Sequence, residues 1–281
     1  MPFRWLITDI DGTLIADDGS LPERNREALK HCRERGVPVV LATGRRWTTL
    51  IRLLDRLDLH GLADYAVINN GMVVKDLRTL APVHREFFPA AAALEAVGIL
   101  ESLGLDPIAL TYDPAGGVDV FYRRLALMNG DFIDKNAGHC REIADFGELV
   151  ANPLVELILL GPEPDLARAR DALLGLPLEI ALIRNTFYAG YMLEITPHGI
   201  SKGSGAGRVA GLLGKTLGEA VAIGDSANDL PLFQLAGWAV AVGNAPEEVR
   251  KAAHETVADG ERAGMAEAVF RHFPLPMGSK G

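Results

Sequence analysis

Short hydrophobic runs alternate with helical stretches toward both ends of this chain, and this alternation limits the possible folds more than any other feature. Runs at residues 6–10, 37–42 and 65–68 are separated by helical stretches at 22–35 and 47–57. The second stretch has leucines recurring on one face, as an amphipathic helix does. Strands that alternate with helices predict an α/β fold, in which a parallel sheet is covered on both faces.

The middle of the chain has a different rhythm. From about residue 82 to residue 184, strand pairs are separated by helices, and one pair at 108–112 and 118–123 flanks a Pro-Ala-Gly-Gly turn. Such a turn is a hairpin signal. Alternation then resumes with predicted strands at 191–195, 220–223 and 239–242. The sequence therefore predicts a core of residues 1–81 and 187–281, and an inserted α+β domain of residues 82–186.

Composition excludes several classes of protein. The chain has 281 residues, 48% of them hydrophobic, and a formal net charge of −9. This length suggests about two domains with large cores. The negative charge disfavours binding to nucleic acid or to an anionic membrane, and no apolar run is long enough to cross a bilayer. Cys32 and Cys140 are predicted to be reduced thiols. Because Asp9 and Asp11 leave no room for an apolar signal region, we expect a cytoplasmic protein.

Acidic residues follow two strands that are far apart in the sequence. Asp9 and Asp11 come directly after the first hydrophobic run, and Asp225 and Asp229 follow the run at 220–223. In open α/β sheets, ligands bind beyond the carboxyl ends of the strands. If these strands are neighbours, four carboxylates and Lys202 converge, and one lysine cannot neutralise four acids. A hard dication such as Mg²⁺, which prefers oxygen ligands, would neutralise the remaining charge.

These segments, in this order, resemble the signature motifs of the haloacid dehalogenase superfamily. The first motif is similar to Asp9-Ile-Asp11-Gly-Thr, the second to Thr43, the third to Lys202, and the fourth to Gly224-Asp225-Ser-Ala-Asn228-Asp229. The wide gap between the second and third motifs resembles the Cof-type sugar-phosphatase branch. The resemblance covers the whole chain, and it implies a Rossmann-like parallel-sheet core with an inserted α+β cap domain.

The resemblance also implies an activity. It is that of an Mg²⁺-dependent phosphatase, which hydrolyses a small phosphomonoester such as a sugar phosphate through an aspartyl-phosphate intermediate. Asp9 is the implied nucleophile, and Asp11 protonates the leaving oxygen and then activates water. Thr43 would donate its hydroxyl to a phosphoryl oxygen, and Lys202 would offset charge in the transition state.

The remaining implied roles concern the metal and the substrate. The predicted metal ligands are Asp9, Asp11, Asp225 and Asp229. The predicted substrate-binding residues are Thr43, Gly44, Arg45, Asn70, Lys202 and Asn228. Several of these residues also have an ordinary structural interpretation, since Asp225 could cap a helix and Asn70 could form a turn.

Two other functions fit the same residues. A phosphomutase would pass the phosphoryl group to a second sugar oxygen, and a catalytically inactive relative would only bind a phosphorylated metabolite. The complete set of motif residues argues against the inactive relative. The physiological substrate and the oligomeric state do not follow from the sequence.

Overall fold

The computed structural model describes residues 3–113, 115, 117–124, 129–149, 153–184 and 190–274. Contacts divide the chain into two compact units. The first comprises Met1–Gly44, Leu53–His84 and Ser201–Gly281, and the second comprises Arg45–Arg52 and Arg85–Ile200. Within the described ranges, no helix is long and apolar enough to span a membrane.

The described residues form fourteen strands and nine helices, which are numbered here in chain order. The strands are β1 Trp5–Thr8, β2 Val39–Ala42, β3 Tyr65–Ile68, β4 Val73–Asp76, β5 Pro82–Arg85, β6 Ile108–Thr111, β7 Val120–Tyr122, β8 Cys140–Glu142, β9 Leu154–Gly161, β10 Leu178–Arg184, β11 Tyr191–Pro197, β12 Ala220–Gly224, β13 Trp238–Ala241 and β14 Glu255–Thr256. The helices are α1 Glu23–Glu34, α2 Trp47–Arg56, α3 Ala90–Ser102, α4 Gly130–Lys135, α5 Glu163–Leu173, α6 Lys202–Leu213, α7 Leu230–Phe233, α8 Glu247–Ala252 and α9 Gly264–His272.

The first unit is built on a sheet with the strand order β14-β13-β12-β1-β2-β3-β4-β5 among the described strands. The pairings from β14 to β3 are parallel, and β4 runs antiparallel to β3. β1 and β12 are buried at every position, which is why both read as continuous apolar runs. Side chains from α6 and α7 pack in one cluster with Ile7, Val40 and Val67. This architecture confirms the predicted α/β class.

The second unit has a sheet of its own, with the order β10-β11-β9-β6-β7-β8 in the part of the chain that the structure describes. The neighbours from β10 to β7 are antiparallel, and β7 and β8 are parallel. Apolar residues of α3 and α5 join Leu157 and Leu193 of this sheet in a separate core. The predicted hairpin is confirmed by the pairing of Ile108 with Tyr122, although Pro114 and Gly116 of its turn lie outside the described residues.

One strand lies in a different sheet from the one predicted. The segment Tyr191 to Ile195 was expected in the parallel core, but β11 lies between β10 and β9 in the second unit and is antiparallel to both. That prediction is wrong, because a strand followed by a helix has the same local pattern in either sheet. Hydrophobic alternation identifies a strand but does not identify its partner.

The limits of the two compact units also differ from the sequence boundaries. β5 pairs at the edge of the first sheet, and the units change at His84 and again at Ile200. The short segment Arg45–Arg52 belongs to the second unit, which no sequence pattern indicated. The predicted division into a core of residues 1–81 and 187–281 and an inserted domain of residues 82–186 stays a prediction.

Candidate active site

The acidic residues lie where the strand order of the first sheet reverses. From β1, the chain adds β2 and β3 on one side and β12 and β13 on the other, and such a switch point is where open α/β sheets bind ligands. Thr8 at the end of β1 is in register with Ile223 of β12. Asp9 continues this pairing, because its backbone N–H donates to the carbonyl of Ile223 at 2.8 Å. The two acidic loops therefore leave the sheet side by side.

Lys202 joins the two loops. Its Nζ lies 3.0 Å from Oδ1 of Asp9 and 2.8 Å from Oδ1 of Asp229, and its side chain is 1% exposed. Burial lowers the pKa of Lys202, but the attraction of Asp229 and Asp9 outweighs it, so the net pKa is raised and the amine stays charged. Lys202 is the first residue of α6, and Ser201 caps that helix in a reciprocal capping box with Ser204.

The acids carry more negative charge than Lys202 can offset. Carboxylate oxygens of Asp9, Asp225 and Asp229 all lie within 4.8 Å of one another. Burial raises the pKa of Asp9 well above its ordinary value, and the neighbouring acids add to this rise against the opposing effect of Lys202. Burial, with help from Asp229, also raises the pKa of Asp225 to about 7. Crowded oxygen ligands with excess charge fit a hard divalent cation such as Mg²⁺.

Asp229 stabilises the conformation of the second acidic loop, which follows β12. Its Oδ2 accepts hydrogen bonds from the backbone N–H groups of Asp225 and Ser226, both at 3.0 Å, while Oδ1 accepts from Lys202. Both oxygens of this fully buried carboxylate are therefore engaged by the protein. Asp225 is oriented separately, since Thr13 Oγ1 donates to its Oδ1 at 3.1 Å. Asp225 is half-buried whereas Asp229 is fully buried, so Asp225 is the more accessible acid of this loop.

Three predicted substrate-binding residues form a connected group beside the acids. Thr43 follows β2 and is buried, and its carbonyl accepts from the backbone N–H of Asn70 at 3.2 Å. Asn228 Nδ2 donates to Asn70 Oδ1, also at 3.2 Å. Asn70 has a φ of 51°, a left-handed conformation that asparagine adopts more readily than most residues. These hydrogen bonds therefore connect the loops after β2, β3 and β12, the last of which also carries Asp225 and Asp229.

The other predicted site residues are divided between the two units. Asp11 and Gly44 belong to the first unit and follow β1 and β2, whereas Arg45 belongs to the second unit. The catalytic, metal-binding and substrate-binding roles assigned from the sequence stay predictions for all ten residues.

Sequence reasoning missed three residues that shape the site. Thr13 binds Asp225, Ser226 Oγ donates to Asn228 Oδ1 at 2.6 Å, and Asn244 lies against the first loop. Thr13 and Ser226 stand inside the motifs, but their contacts depend on the fold. Asn244 had a usable signal, because it follows β13 by a few residues, as the acids follow β1 and β12.

Comparison with known proteins shows the family of the chain. The model of the haloacid dehalogenase-like hydrolase family matches residues 6–269, and the chain belongs to this family. The Bacillus subtilis protein YxeH, described as a candidate phosphatase, is 29% identical over 95% of this chain and 97% of its own length. A phosphoglycolate phosphatase of Methanosarcina mazei is 28% identical, over 96% of each chain.

Structural similarity agrees with the fold. The HAD subclass IIB sugar phosphatase BT4131 superposes with a TM-score of 0.80 at 22% identity, covering 96% of this chain and 98% of its own. The family and its phosphatase relatives identify this protein as a phosphatase of the hydrolase class.

Proposed function

We propose that the protein is an Mg²⁺-dependent phosphatase that hydrolyses a small phosphomonoester, such as a sugar phosphate, through an aspartyl-phosphate on Asp9. The observation that carries this proposal is the buried cluster in which Lys202 contacts Asp9 and Asp229 beside Asp225. A structural ion pair needs only one acid for each lysine. A second and third acid at this distance are costly unless a cation balances them.

Asp9 would attack the phosphorus atom. A bond then forms between a carboxylate oxygen of Asp9 and phosphorus, and the bond from phosphorus to the ester oxygen breaks. Asp11 would donate the proton that the leaving oxygen needs. In the second half-reaction Asp11 would remove a proton from the water that attacks the aspartyl-phosphate, releasing inorganic phosphate and restoring Asp9. Lys202 would hold Asp9 in position and stabilise negative charge on the phosphoryl group.

Asp9, Asp225 and the backbone carbonyl of Asp11 would hold the Mg²⁺ ion. When bound, the ion would supply positive charge to the phosphoryl oxygens. Asp229 would act through a water molecule, because both of its oxygens already accept hydrogen bonds from the protein. Thr43, Gly44, Asn70 and Asn228 would contact the phosphoryl group, with Arg45 reaching the rest of the substrate.

The substrate class is proposed from chemistry and from relatives. The relatives include a phosphoglycolate phosphatase and a sugar phosphatase, whose substrates are small phosphate esters. The acids and the metal recognise only the phosphate, so selectivity would come from the inserted domain predicted at 82–186. Cys32 and Cys140 are free thiols, which suits action in the cytoplasm.

Phosphate release from p-nitrophenyl phosphate tests the proposal. We expect activity with Mg²⁺ and none in excess EDTA. Asp9→Asn keeps the shape of the side chain but removes the nucleophile, so turnover should fall by several orders of magnitude. Asp17→Asn is the matched control, because Asp17 is exposed and should keep full activity. Full activity of folded Asp9→Asn would exclude the covalent route, and phosphoryl transfer to a sugar without phosphate release would indicate a phosphomutase.

A further inference from the structure

Asn244 contacts three other loops, which contain Gly12, Asp225 and Gly260. Its Nδ2 donates to the carbonyl of Gly12 at 3.1 Å and lies 3.5 Å from Oδ2 of Asp225. Its Oδ1 accepts from the backbone N–H of Gly260 at 2.9 Å. A backbone carbonyl only accepts and a backbone N–H only donates, so these partners fix which end of the amide is nitrogen. The side chain is therefore held at both ends.

Two glycines lie where the loops around Asn244 approach each other closely. Gly12 has a φ of +74°, and a Cβ atom there would lie 2.6 Å from Asp225 Oδ2 and 3.2 Å from Asn244 Nδ2. At Gly260, a Cβ atom would lie 2.3 Å from the carbonyl oxygen of Gly12. The two glycines allow the three loops to approach until the amide of Asn244 bridges them.

Asp225 consequently has a partner on each oxygen. Thr13 donates to Oδ1 at 3.1 Å, and Asn244 Nδ2 lies 3.5 Å from Oδ2. Thr13 and Gly12 directly follow Asp11, whereas Asn244 comes from the loop after β13. A carboxylate held from both sides keeps one orientation, and partners of this kind commonly change metal affinity by about 10–100-fold when they are removed.

We propose that Asn244 is a positioning residue for the metal site: its amide holds the carbonyl of Gly12, one residue after Asp11, and orients the carboxylate of Asp225 toward the cation. This inference rests on the proposed function, because it assumes that Asp225 and the Asp11 carbonyl hold Mg²⁺. Asn244 acts through the carboxylate of Asp225 and through the loop that carries the Asp11 carbonyl, and it is not assigned a contact with the reacting atoms.

The location of Asn244 makes the inference testable without unfolding the protein. The side chain is exposed and lines an open cleft of about 240 Å³, together with Asp17, Asp259 and Glu261. Truncating this side chain therefore leaves no cavity in the core, and the free energy of unfolding should change little. Glu261 provides the matched control, because it is exposed in the same cleft.

The experiment measures Mg²⁺ binding directly by calorimetry for wild type, Asn244→Ala and Glu261→Ala. We expect Asn244→Ala to raise the Kd for Mg²⁺ by about 10–100-fold and to reduce the rise in Tm that Mg²⁺ produces. Glu261→Ala should match wild type in both. At saturating Mg²⁺, the kcat of Asn244→Ala should largely recover and the KM for p-nitrophenyl phosphate should be unchanged. Asn244→Leu, which keeps the volume without the donor, should behave like Asn244→Ala and replaces it if the alanine variant does not fold.

The outcomes separate this inference from the proposed function. Suppose that wild type binds Mg²⁺ and that both Asn244→Ala and Asn244→Leu bind it with the same Kd. Asn244 is then not a positioning residue, and the phosphatase proposal stands. If Asn244→Ala raises only the KM for the ester, its role is in substrate binding and the inference is wrong. If wild type binds no Mg²⁺ and is inactive, both proposals fail.

Discussion

Lys202 carries a positive charge between two buried carboxylates, so its replacement tests the electrostatics of the site. Lys202→Met keeps most of the apolar stem but leaves Asp9 and Asp229 without their shared partner. We expect kcat to fall on the order of 10²–10³-fold. In EDTA, the free energy of unfolding should fall by about 3–5 kcal/mol, because removing one partner leaves buried charge uncompensated. Steady-state kinetics and urea unfolding measure the two effects.

A surface lysine supplies the control for this substitution. Lys251 is 74% exposed and pairs with Glu247 on α8, and such pairs contribute little. Lys251→Met should leave kcat unchanged and alter stability by less than about 0.5 kcal/mol. If Lys202→Met were as stable and as active as Lys251→Met, the charge on Lys202 would have no part in the site.

The sequence predicted the members of the acidic cluster but not the different contacts that each carboxylate makes. Asp9, Asp225 and Asp229 could be found because strand ends converge in a parallel sheet, whereas Lys202 follows β11 of the other sheet and was found by its resemblance to the third motif. The hydrogen bonds of Asp229 to backbone N–H groups depend on how the loop after β12 folds. No spacing rule distinguishes a carboxylate that shapes a loop from one that is free to meet a cation.

At the scale of elements, Gly71 allows the loop after β3 to touch the start of α6. Its φ is +113°, and a Cβ atom there would lie 2.2 Å from the backbone oxygen of Ser201. Gly71→Ala should therefore displace the residue before Lys202, reduce kcat at least about tenfold, and destabilise the protein by about 1–3 kcal/mol. Kinetics at saturating Mg²⁺ and thermal unfolding provide the measurements.

Gly98 is the matched control for Gly71→Ala. It lies inside α3, and nothing is within 4 Å of the position that a Cβ atom would occupy. Gly98→Ala should stabilise the protein by about 0.5–1 kcal/mol, because alanine favours the helix more than glycine does, and should leave kcat unchanged. Equal kinetics for Gly71→Ala and wild type would show that the loop tolerates the side chain.

Strand β4 contains a buried lysine whose titration affects stability. Lys75 is 2% exposed, and burial lowers its pKa from 10.5 to about 8. Between pH 8 and 10.5 the unfolded chain binds this proton and the folded protein does not, so the free energy of unfolding rises with pH in that window. Lys75→Met should therefore be more stable than wild type by up to about 3 kcal/mol below pH 8.

That advantage should shrink as the pH approaches 10.5. Urea unfolding at pH 7 and pH 9.5 gives the comparison, and Lys30→Met, at an exposed position of α1, is the control for loss of a lysine charge. An advantage for Lys75→Met that is the same at both pH values would contradict the lowered pKa.

Local pattern predicted the elements better than it predicted their partners. The predicted run at 65–68 has the same limits as β3. A strand that is buried on both faces of a sheet is apolar along its whole length, so its sequence marks both of its ends. The run at 191–195 was assigned to the wrong sheet, since its partners β9 and β10 follow from long-range pairing. The short helix α4 and strand β8 carried too few periodic residues to be recognised.

At the scale of the whole molecule, the two compact units should differ in what they contribute. We expect that replacing residues 86–200 with a flexible Gly/Ser linker leaves the sheet of the first unit folded, because its core includes none of the residues that the structure describes in that segment. This protein should cleave p-nitrophenyl phosphate slowly with Mg²⁺ and lose discrimination among natural phosphate esters. Circular dichroism and a panel of esters ranked by kcat/KM provide the measurement.

The full-length protein and its Asp9→Asn variant accompany this experiment as controls. The ranking of esters is the decisive readout. A shortened protein that keeps the full-length ranking would show that selectivity comes from the first unit, and one that does not fold would show that the sheet depends on the second.

The pairing of β1 with β12 has a consequence for the synthesis of the protein. These strands are in register, Trp5 with Ala220, although more than 200 residues separate them in the chain. A ribosome that adds about 5–20 residues per second needs on the order of 10–40 s between the two. During this interval β1 has one open edge, where a chaperone or another nascent chain could pair. The two acidic loops can meet only after β12 has been synthesised, so a chain that stops before β12 lacks one half of the candidate site.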